Sequence, residues 1–459
     1  MTKENKLGSE KVSKLLISFS VPAIIGMLVN TLYNIIDRMY IGNIEGVGKL
    51  AITGVGITMP IMTIILAFGM LVGIGTAARI SIFLGKGDKE TAEKHIGNAF
   101  VLIIIFSILI TIIGLAFLDK ILVVFGASSS TEIYARQYMQ IIFAGTIVSM
   151  LSFGLNHSIR SDGSPKIAML SMLIGAIINI ILDPILIFVF NLGVRGAAIA
   201  TVISQFVATI WILYYFTKGQ SAIKIKKENF KLKKYIVLSI FSIGISPCSM
   251  QIAACIVQVI ANNSLKHYGG DLAIGAMTIV QSIGMIFLTP IFGLNQGSQP
   301  IIGYNFGAKK YNRVKTTVFY GAITATIIVT IGWLVVQLAP QLLIKIFNND
   351  PELLEIAKNG LRIYLLFIPV IGLQIISSNY FQSVGKAKIS MFLSLLRQVI
   401  LLIPFMIILP RIFGLNGIWM AGAISDLLSA IITCCIFYNS LKKLNKENDN
   451  IQKEIEVNI

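Results

Sequence analysis

The chain has 459 residues, 55% of them hydrophobic and only 13% charged, with a mean hydropathy of +0.82. So little charge cannot cover a soluble protein of this size, and apolar stretches of twenty or more residues recur, each able to cross about 30 Å of hydrocarbon as a helix. The formal charge of +17 suggests nucleic acid only until its carriers are placed: they gather in alternate short loops, the positive-inside pattern, so no nucleic-acid partner is expected.

Lys3, Lys6, Lys11 and Lys14 precede the first apolar run, which has no cleavage site and reads as a first span rather than a signal peptide. Further basic groups follow at Lys86, Lys89 and Lys94, at Arg160 and Lys166, and along Lys218–Lys234. In the second half they lie at Lys309, Lys310, Arg313 and Lys315, at Lys386 and Lys388, and at Lys442, Lys443 and Lys446. The intervening loops are poor in basic residues or acidic. Both termini are therefore expected on the cytoplasmic side, the span count must be even, and we count twelve.

The first span carries Pro22, Met27, Asn30, Asn34 and Asp37, then Arg38. Asn30, Asn34 and Asp37 are spaced i, i+4, i+7 and line one helix face, with Tyr33 beside them. Arg38 is turned about 100° away and is expected to reach the headgroups. Counted from the nearest span end at about 1.5 Å per residue, Asp37 lies roughly 7 Å below the outer surface. On the same scale Tyr138 in the fourth span lies at about 9 Å, Asp183 in the fifth at about 12 Å and Thr201 in the sixth at about 7 Å. Asn179 is one turn deeper than Asp183 on the same face. These residues can form one polar site in the outer part of the first half. An ionisable side chain inside a span is costly and points to function; the alternative is that both carboxylates merely cap helix ends, which an Asp before Pro184 allows.

The lysine-rich run to Lys234 is a linker. Beyond it, a shift of 222 positions brings the halves into register: Leu50-Ala51-Ile52 falls on Leu272-Ala273-Ile274, Gly75 and Gly85 on Gly297 and Gly307, Phe125 on Phe347, Gly163 on Gly385 and Lys166 on Lys388. A constant offset over most of a half is an internal duplication. The expected fold is an all-α integral membrane protein, with twelve transmembrane helices in two parallel six-helix lobes related by a pseudo-twofold axis along the membrane normal. The expected limits are 1–217 for the first lobe, 218–234 for the cytoplasmic linker, 235–445 for the second lobe and 446–459 for a polar tail. Under the offset Asp183 meets Phe405, so the second half lacks the carboxylates. It has Arg397 instead, about 14 Å from the cytoplasmic end of the eleventh span, and Asp426 at similar depth in the twelfth. An unpaired Arg there is so unfavourable that the two are expected to meet, either as a structural ion pair or as a gate.

Cys248 and Cys255 share one span and Cys434 and Cys435 are adjacent in another; none has metal-ligand spacing, and all read as packing residues. The three histidines, His95, His157 and His267, are scattered, and no phosphate-binding Gly-rich loop for ATP is present, so no enzyme and no cofactor is expected.

Pro22, the stretch around Asp37, GIGTAARISIFLGKGD (73–88), NIILDP (179–184) and GLNQGSQPIIGYNFGAKKYNRV (293–314) resemble the multidrug and toxic compound extrusion (MATE) family, on its MepA-like, DinF-type bacterial side. The resemblance covers nearly the whole chain. It implies export of organic cations by alternating access, in exchange for inward H⁺ or Na⁺, from the bacterial cytoplasmic membrane. It implies a cation-linked site at Asp37, Asn179, Asp183 and Thr201, with Tyr138 nearby, and the same four residues would be the ligands of a coupling Na⁺. Asn, Asp and Thr oxygens suit either ion. Met27, Asn30, Asn34, Met150, Phe153 and Asn156 are the expected lining for the drug. Pro22 removes a backbone hydrogen bond and reads as a hinge or as a static kink. The expected partners are small organic cations and membrane lipid, and a monomer is expected. A flippase for lipid-linked glycans is the alternative; it needs several cavity cations, whereas Arg397 is the only clear candidate in the sequence and Asp426 is expected to offset it.

Overall fold

The computed structural model describes residues 6–347 and 350–457, without the side chains of Asp271 and 445–457, so the side chains of the expected polar tail lie outside the described residues. Among the described residues the chain is helical throughout, with no strand. Hydrocarbon supplies no partner for backbone N–H and C=O groups, and a helix satisfies all of them within itself. Among the described residues ten helices are long and apolar enough to span a membrane, and twelve result if each of two bent pairs counts as one span. In the first half they are α1 (Val12–Gly42), α2 (Gly48–Gly85), α3 (Lys89–Ala116), α4 (Glu132–Ala144 with Thr146–Ser161), α5 (Pro165–Val189) and α6 (Gly193–Thr217). The second half supplies α7 (Lys234–Gly270), α8 (Leu272–Gly307), α9 (Tyr311–Leu338), α10 (Pro351–Tyr364 with Ile368–Ser383), α11 (Ala387–Phe413) and α12 (Leu415–Leu444).

The duplication is visible in the breaks. α4 bends by 61° at Gly145, and α10 bends by 51° over residues 365–367; the offset carries 145 onto 367. A Cβ on Gly145 would sit 2.4 Å from Val202 Cγ2, so its missing side chain lets α4 and α6 close up at the bend. Gly270, at φ +66°, turns the chain between α7 and α8, a conformation glycine adopts without steric cost.

The chain groups into two compact units, Ile25–Cys248 and Met1–Ile24 with Ser249–Ile459. The expected limits 1–217 and 235–445 were drawn from the sequence repeat; the compact units divide instead within α1 and α7, each taking the leading end of the other half's first helix. The handover falls just past Pro22 in α1 and just past Pro247 in α7. Glycines make the exchange fit. In one unit a Cβ on Gly297 would lie 2.6 Å from the Ser20 backbone nitrogen. In the other, a Cβ on Gly75, which the offset pairs with Gly297, would lie 2.2 Å from the Ile240 carbonyl oxygen. Ahead of α1, Asn305 Nδ2 and Arg313 Nη2 donate to the Leu7 carbonyl at 2.9 and 3.2 Å, and Lys310 Nζ donates to the Gly8 carbonyl at 3.0 Å. Gly297→Leu and Gly75→Leu must each push a pair of backbones away from one another, and overpacking of this kind costs about 1–3 kcal/mol or more. We expect a clear fall in thermal midpoint for either variant in detergent, with Gly56→Leu, which meets open space, unaffected.

The basic linker is stitched to the first-half helices. Asp162, 6% exposed between α4 and α5, accepts from Tyr215 Oη at 2.5 Å and from the backbone N–H groups of Ala222 and Ile223 at 3.0 and 3.1 Å. Asn98 Oδ1 accepts from Lys233 N at 2.9 Å while its Nδ2 donates to the Asn229 carbonyl at 2.9 Å. Glu93 takes Lys226 at 2.6 Å. Burial pushes the Asp162 carboxyl up to about 6, against the pull of its three donors. The folded chain therefore holds that proton more tightly than the unfolded chain, whose carboxyl titrates near 3.8. Stability from this group rises as pH falls from about 6 towards 4. Relative to Asp162→Asn, the wild-type thermal midpoint should climb between pH 7 and pH 5; a constant difference would contradict the burial argument.

Candidate functional site

α1 runs unbroken through Pro22 for 31 residues, so the polar face predicted from its spacing is a real face. Asp37 is 7% exposed while its neighbour Arg38 is exposed and donates to Met59 Sδ at 3.0 Å. Asn34 is half-buried and donates from Nδ2 to the Asn30 carbonyl at 2.6 Å; Asn30 is exposed. Pro22 is buried inside the helix.

Asp183 is fully buried near the end of the α-helical segment of α5. Pro184 cannot donate to the Ile180 carbonyl, and the helix widens into a π-turn over Ile185–Val189 instead of stopping. Such turns recur at functional sites. Neither carboxylate caps a helix: Asp37 lies within α1, and Asp183 Oδ1 accepts from Asn179 Nδ2, one turn earlier, at 3.2 Å.

The two carboxylates, far apart in sequence, stand close together. Asn179 Nδ2 also faces Thr201 Oγ1 at 3.5 Å, and the Tyr138 hydroxyl lies near Thr201. Tyr33, half-buried, stands near both carboxylates. Asn179, Asp183, Thr201 and Tyr138 are all 5% exposed or less. Asp37 Oδ1, Asp183 Oδ2 and Asn179 Oδ1 are buried without a hydrogen-bond partner. Each such orphan costs about 1–3 kcal/mol, and two neighbouring carboxylates in a low dielectric repel each other unless a proton or another cation joins them. Acceptors without donors, around two acids, form a donor set that a proton or an oxygen-seeking metal cation such as Na⁺ would complete. No group of three or more His, Cys, Asp or Glu side chains able to hold a metal occurs among the described residues, so a metal here would rely on the Asn and Thr oxygens.

The other expected residues are distributed differently. Asn156 spends its Nδ2 on the Ala168 carbonyl at 2.8 Å and Ser171 Oγ at 2.7 Å, tying α4 to α5. Met150 is 2% exposed and takes a hydrogen bond from Ser107 Oγ at 3.3 Å. Phe153 stacks edge-on against His157 at 5.2 Å. Met27 is half-buried on α1, and its carbonyl accepts from Thr31 Oγ1 at 3.0 Å. Arg397 Nε donates to Asp426 Oδ1 in a salt bridge joining α11 to α12, with Tyr364 alongside. Arg397 also sits in a π-turn, Leu396–Leu402.

Arg160 corrects the placement of basic residues in loops. It lies inside α4, 3% exposed, with Nη2 against Met172 Sδ at 3.5 Å and with Nε and Nη1 unpartnered. The helix runs to Ser161 and turns only at Gly163, φ +92°. Its spacing of four from Asn156, which puts both on one buried face, is the signal that marks it. Gln205, hydrogen-bonded to Ser149 one turn beyond Thr201, was also missed.

The family model MatE matches residues 22–185 and 247–408, each match opening on one of the handover prolines. The chain is similar to the multidrug export protein MepA of Staphylococcus haemolyticus, 28% identical over 442 residues and 96% of either chain. Among solved structures it resembles a ligand complex of the MATE multidrug transporter DinF-BH, with TM-score 0.89, 37% identity and coverage of 96% of this chain and 98% of that one. It also resembles a crystal structure of MATE in the bent conformation, with TM-score 0.91, 26% identity and coverage of 98% and 100%.

Proposed function

The chain belongs to the MatE (MATE) family, and from that premise we propose that it exports organic cations across the bacterial cytoplasmic membrane in exchange for inward H⁺ or Na⁺. The observation that carries this reading is the nearness of Asp37 and Asp183, with their unpartnered acceptor oxygens and the neutral groups of Asn179 and Thr201. The names of its relatives, a multidrug export protein and a multidrug transporter, support export of drug-like molecules.

The pair works as an exchange site because its negative charge needs one cation and does not specify which. An entering proton or Na⁺ neutralises the acids; the organic cation then loses its electrostatic partner and leaves. Coupling requires the ion to bind one conformation better than the other, since a ligand shifts only an equilibrium it discriminates. Each pH unit across the membrane supplies about 1.36 kcal/mol per proton. Pro22 and Pro247, at the handovers between compact units, are placed to let α1 and α7 bend as the cycle turns. Asn30, Asn34 and Met27 extend the site along α1 towards the drug. The protein acts as a monomer with both termini cytoplasmic and without a prosthetic group. A glycan-lipid flippase would need free cations in its chamber, and Arg397, the candidate named for that role, is neutralised by Asp426.

The test uses purified protein in liposomes loaded with ethidium, a fluorescent organic cation, with a pH gradient and a Na⁺ gradient imposed separately. Export driven by one of them supports antiport and names its ion. No export under either would overturn the proposal.

A further inference from the structure

The two halves differ at one repeated outer position. In the first half the short helix Leu118–Val124 precedes α4, and Asp119 Oδ2 accepts from Arg136 Nη2 at 2.9 Å. The offset of 222 carries that helix onto Pro340–Lys345, Asp119 onto Gln341 and Arg136 onto Lys358. The second half therefore keeps the cation and loses its carboxylate. It also gains Lys345 and Arg362, where the first half has Val123 and Gln140. Among the described residues neither Lys345 nor Lys358 has an ion pair, and Arg362 spends Nη2 on the Gln337 carbonyl at 2.9 Å.

These side chains line two cavities. One, of about 350 Å³, is bounded by Gln341, Lys345, Lys358 and Arg362 and has no acidic lining residue. The other, of about 460 Å³, shares Lys358 and Arg362 and reaches Asn359 and Trp419, with Glu355 as its one acid. Trp419 is fully buried, yet its Nε1–H has no hydrogen-bond partner. Basic side chains thus outnumber acidic ones around a recess beside Leu338, Leu342 and Ile346, which are 79%, 69% and 76% exposed. In a membrane-spanning chain such apolar groups face acyl chains.

The geometry points to a lipid site: this face of the second half, from Lys345 to Trp419, binds the phosphodiester headgroup of an anionic phospholipid in the leaflet it faces, the outer one by the basic-loop pattern. A guanidinium and two ammonium groups meet the phosphate oxygens with charge-assisted hydrogen bonds. The exposed leucines and isoleucine seat the chains, which a soluble phosphate lacks.

Full-length protein is reconstituted in phosphatidylcholine vesicles doped with phosphatidylglycerol, re-extracted, and its retained lipid counted by mass spectrometry. The wild type should hold phosphatidylglycerol about tenfold over its share of the bilayer, as expected for several basic groups near an anionic lipid. Lys345→Gln/Lys358→Gln/Arg362→Gln should lose that enrichment. Gln341→Asp, which restores the first half's pairing, should reduce it with a single exposed change that leaves folding intact. Lys120→Gln/Arg136→Gln, in the first half, should leave it unchanged. Equal retention of both lipids by the wild type, or undiminished enrichment in Gln341→Asp and the triple variant, would overturn the proposal. Displacement of the lipid by millimolar glycerol phosphate would overturn it in favour of a soluble phosphate ligand.

Discussion

Asp37→Asn and Asp183→Asn, each alone, should lower gradient-driven export of an organic cation by about 100-fold in liposomes. The amide removes a charged ligand of the driving cation, worth about 1.5–3 kcal/mol, and about 1.4 kcal/mol is a decade in an equilibrium constant. The effect is on coupling and not on folding, because an amide fills the same volume and keeps one acceptor. The variants should therefore match the wild type in thermal midpoint while failing to respond to the driving ion. Thr201→Val and Tyr138→Phe should cost less, since each removes one neutral hydroxyl from the set around Asn179 and Asp183. A variant of Asp37 that still exported at the wild-type rate under the same gradient would remove the carboxylate pair from the mechanism.

The Arg397–Asp426 bridge should behave in the opposite way, as a matter of stability. Asp426 is 2% exposed, and breaking a buried pair by deleting one partner costs about 3–5 kcal/mol, because the other charge is left in the interior. Arg397→Met and Asp426→Leu should each lower the thermal midpoint sharply. The double variant Arg397→Met/Asp426→Leu should recover most of the loss, since an apolar pair of similar volume is about neutral or stabilising. Export recovered together with stability identifies a structural bridge. Stability recovered while export stays lost identifies a bridge that must open and close.

Much of the fold could be read from the sequence because hydropathy, basic-loop alternation and the 222 offset are one-dimensional signals that a membrane enforces on every span. The nearness of Asp37 on α1 to Asp183 on α5 was foreshadowed by both lying in the outer part of the first half, each on the polar face of its own helix. Their roles come from the proposal and not from geometry alone. What was hidden depends on packing. That the leading ends of α1 and α7 change partners is decided by contacts such as Ser20 on Gly297 and Ile240 on Gly75, which leave no trace in hydropathy. The bend in α4 falls at Gly145, and that in α10 over residues 365–367, just before Pro369 in the first turn of its second segment. Arg160 was misplaced because a cation near a span end is ordinarily wet, whereas this one is covered by its own bundle. Asn156 and Met150, expected as drug lining by type, also tie helices together, through Asn156 Nδ2 and Met150 Sδ.

The central claim is that one pair of carboxylates holds either the driving ion or the drug. It is tested most directly by measuring the affinity of purified protein for ethidium across a range of pH at fixed Na⁺, and across Na⁺ at fixed pH, alongside the Asp37→Asn/Asp183→Asn variant. The account predicts that wild-type affinity weakens as one of the two ions increases and that the variant's affinity is independent of that ion. A wild-type affinity unmoved by either ion would contradict it.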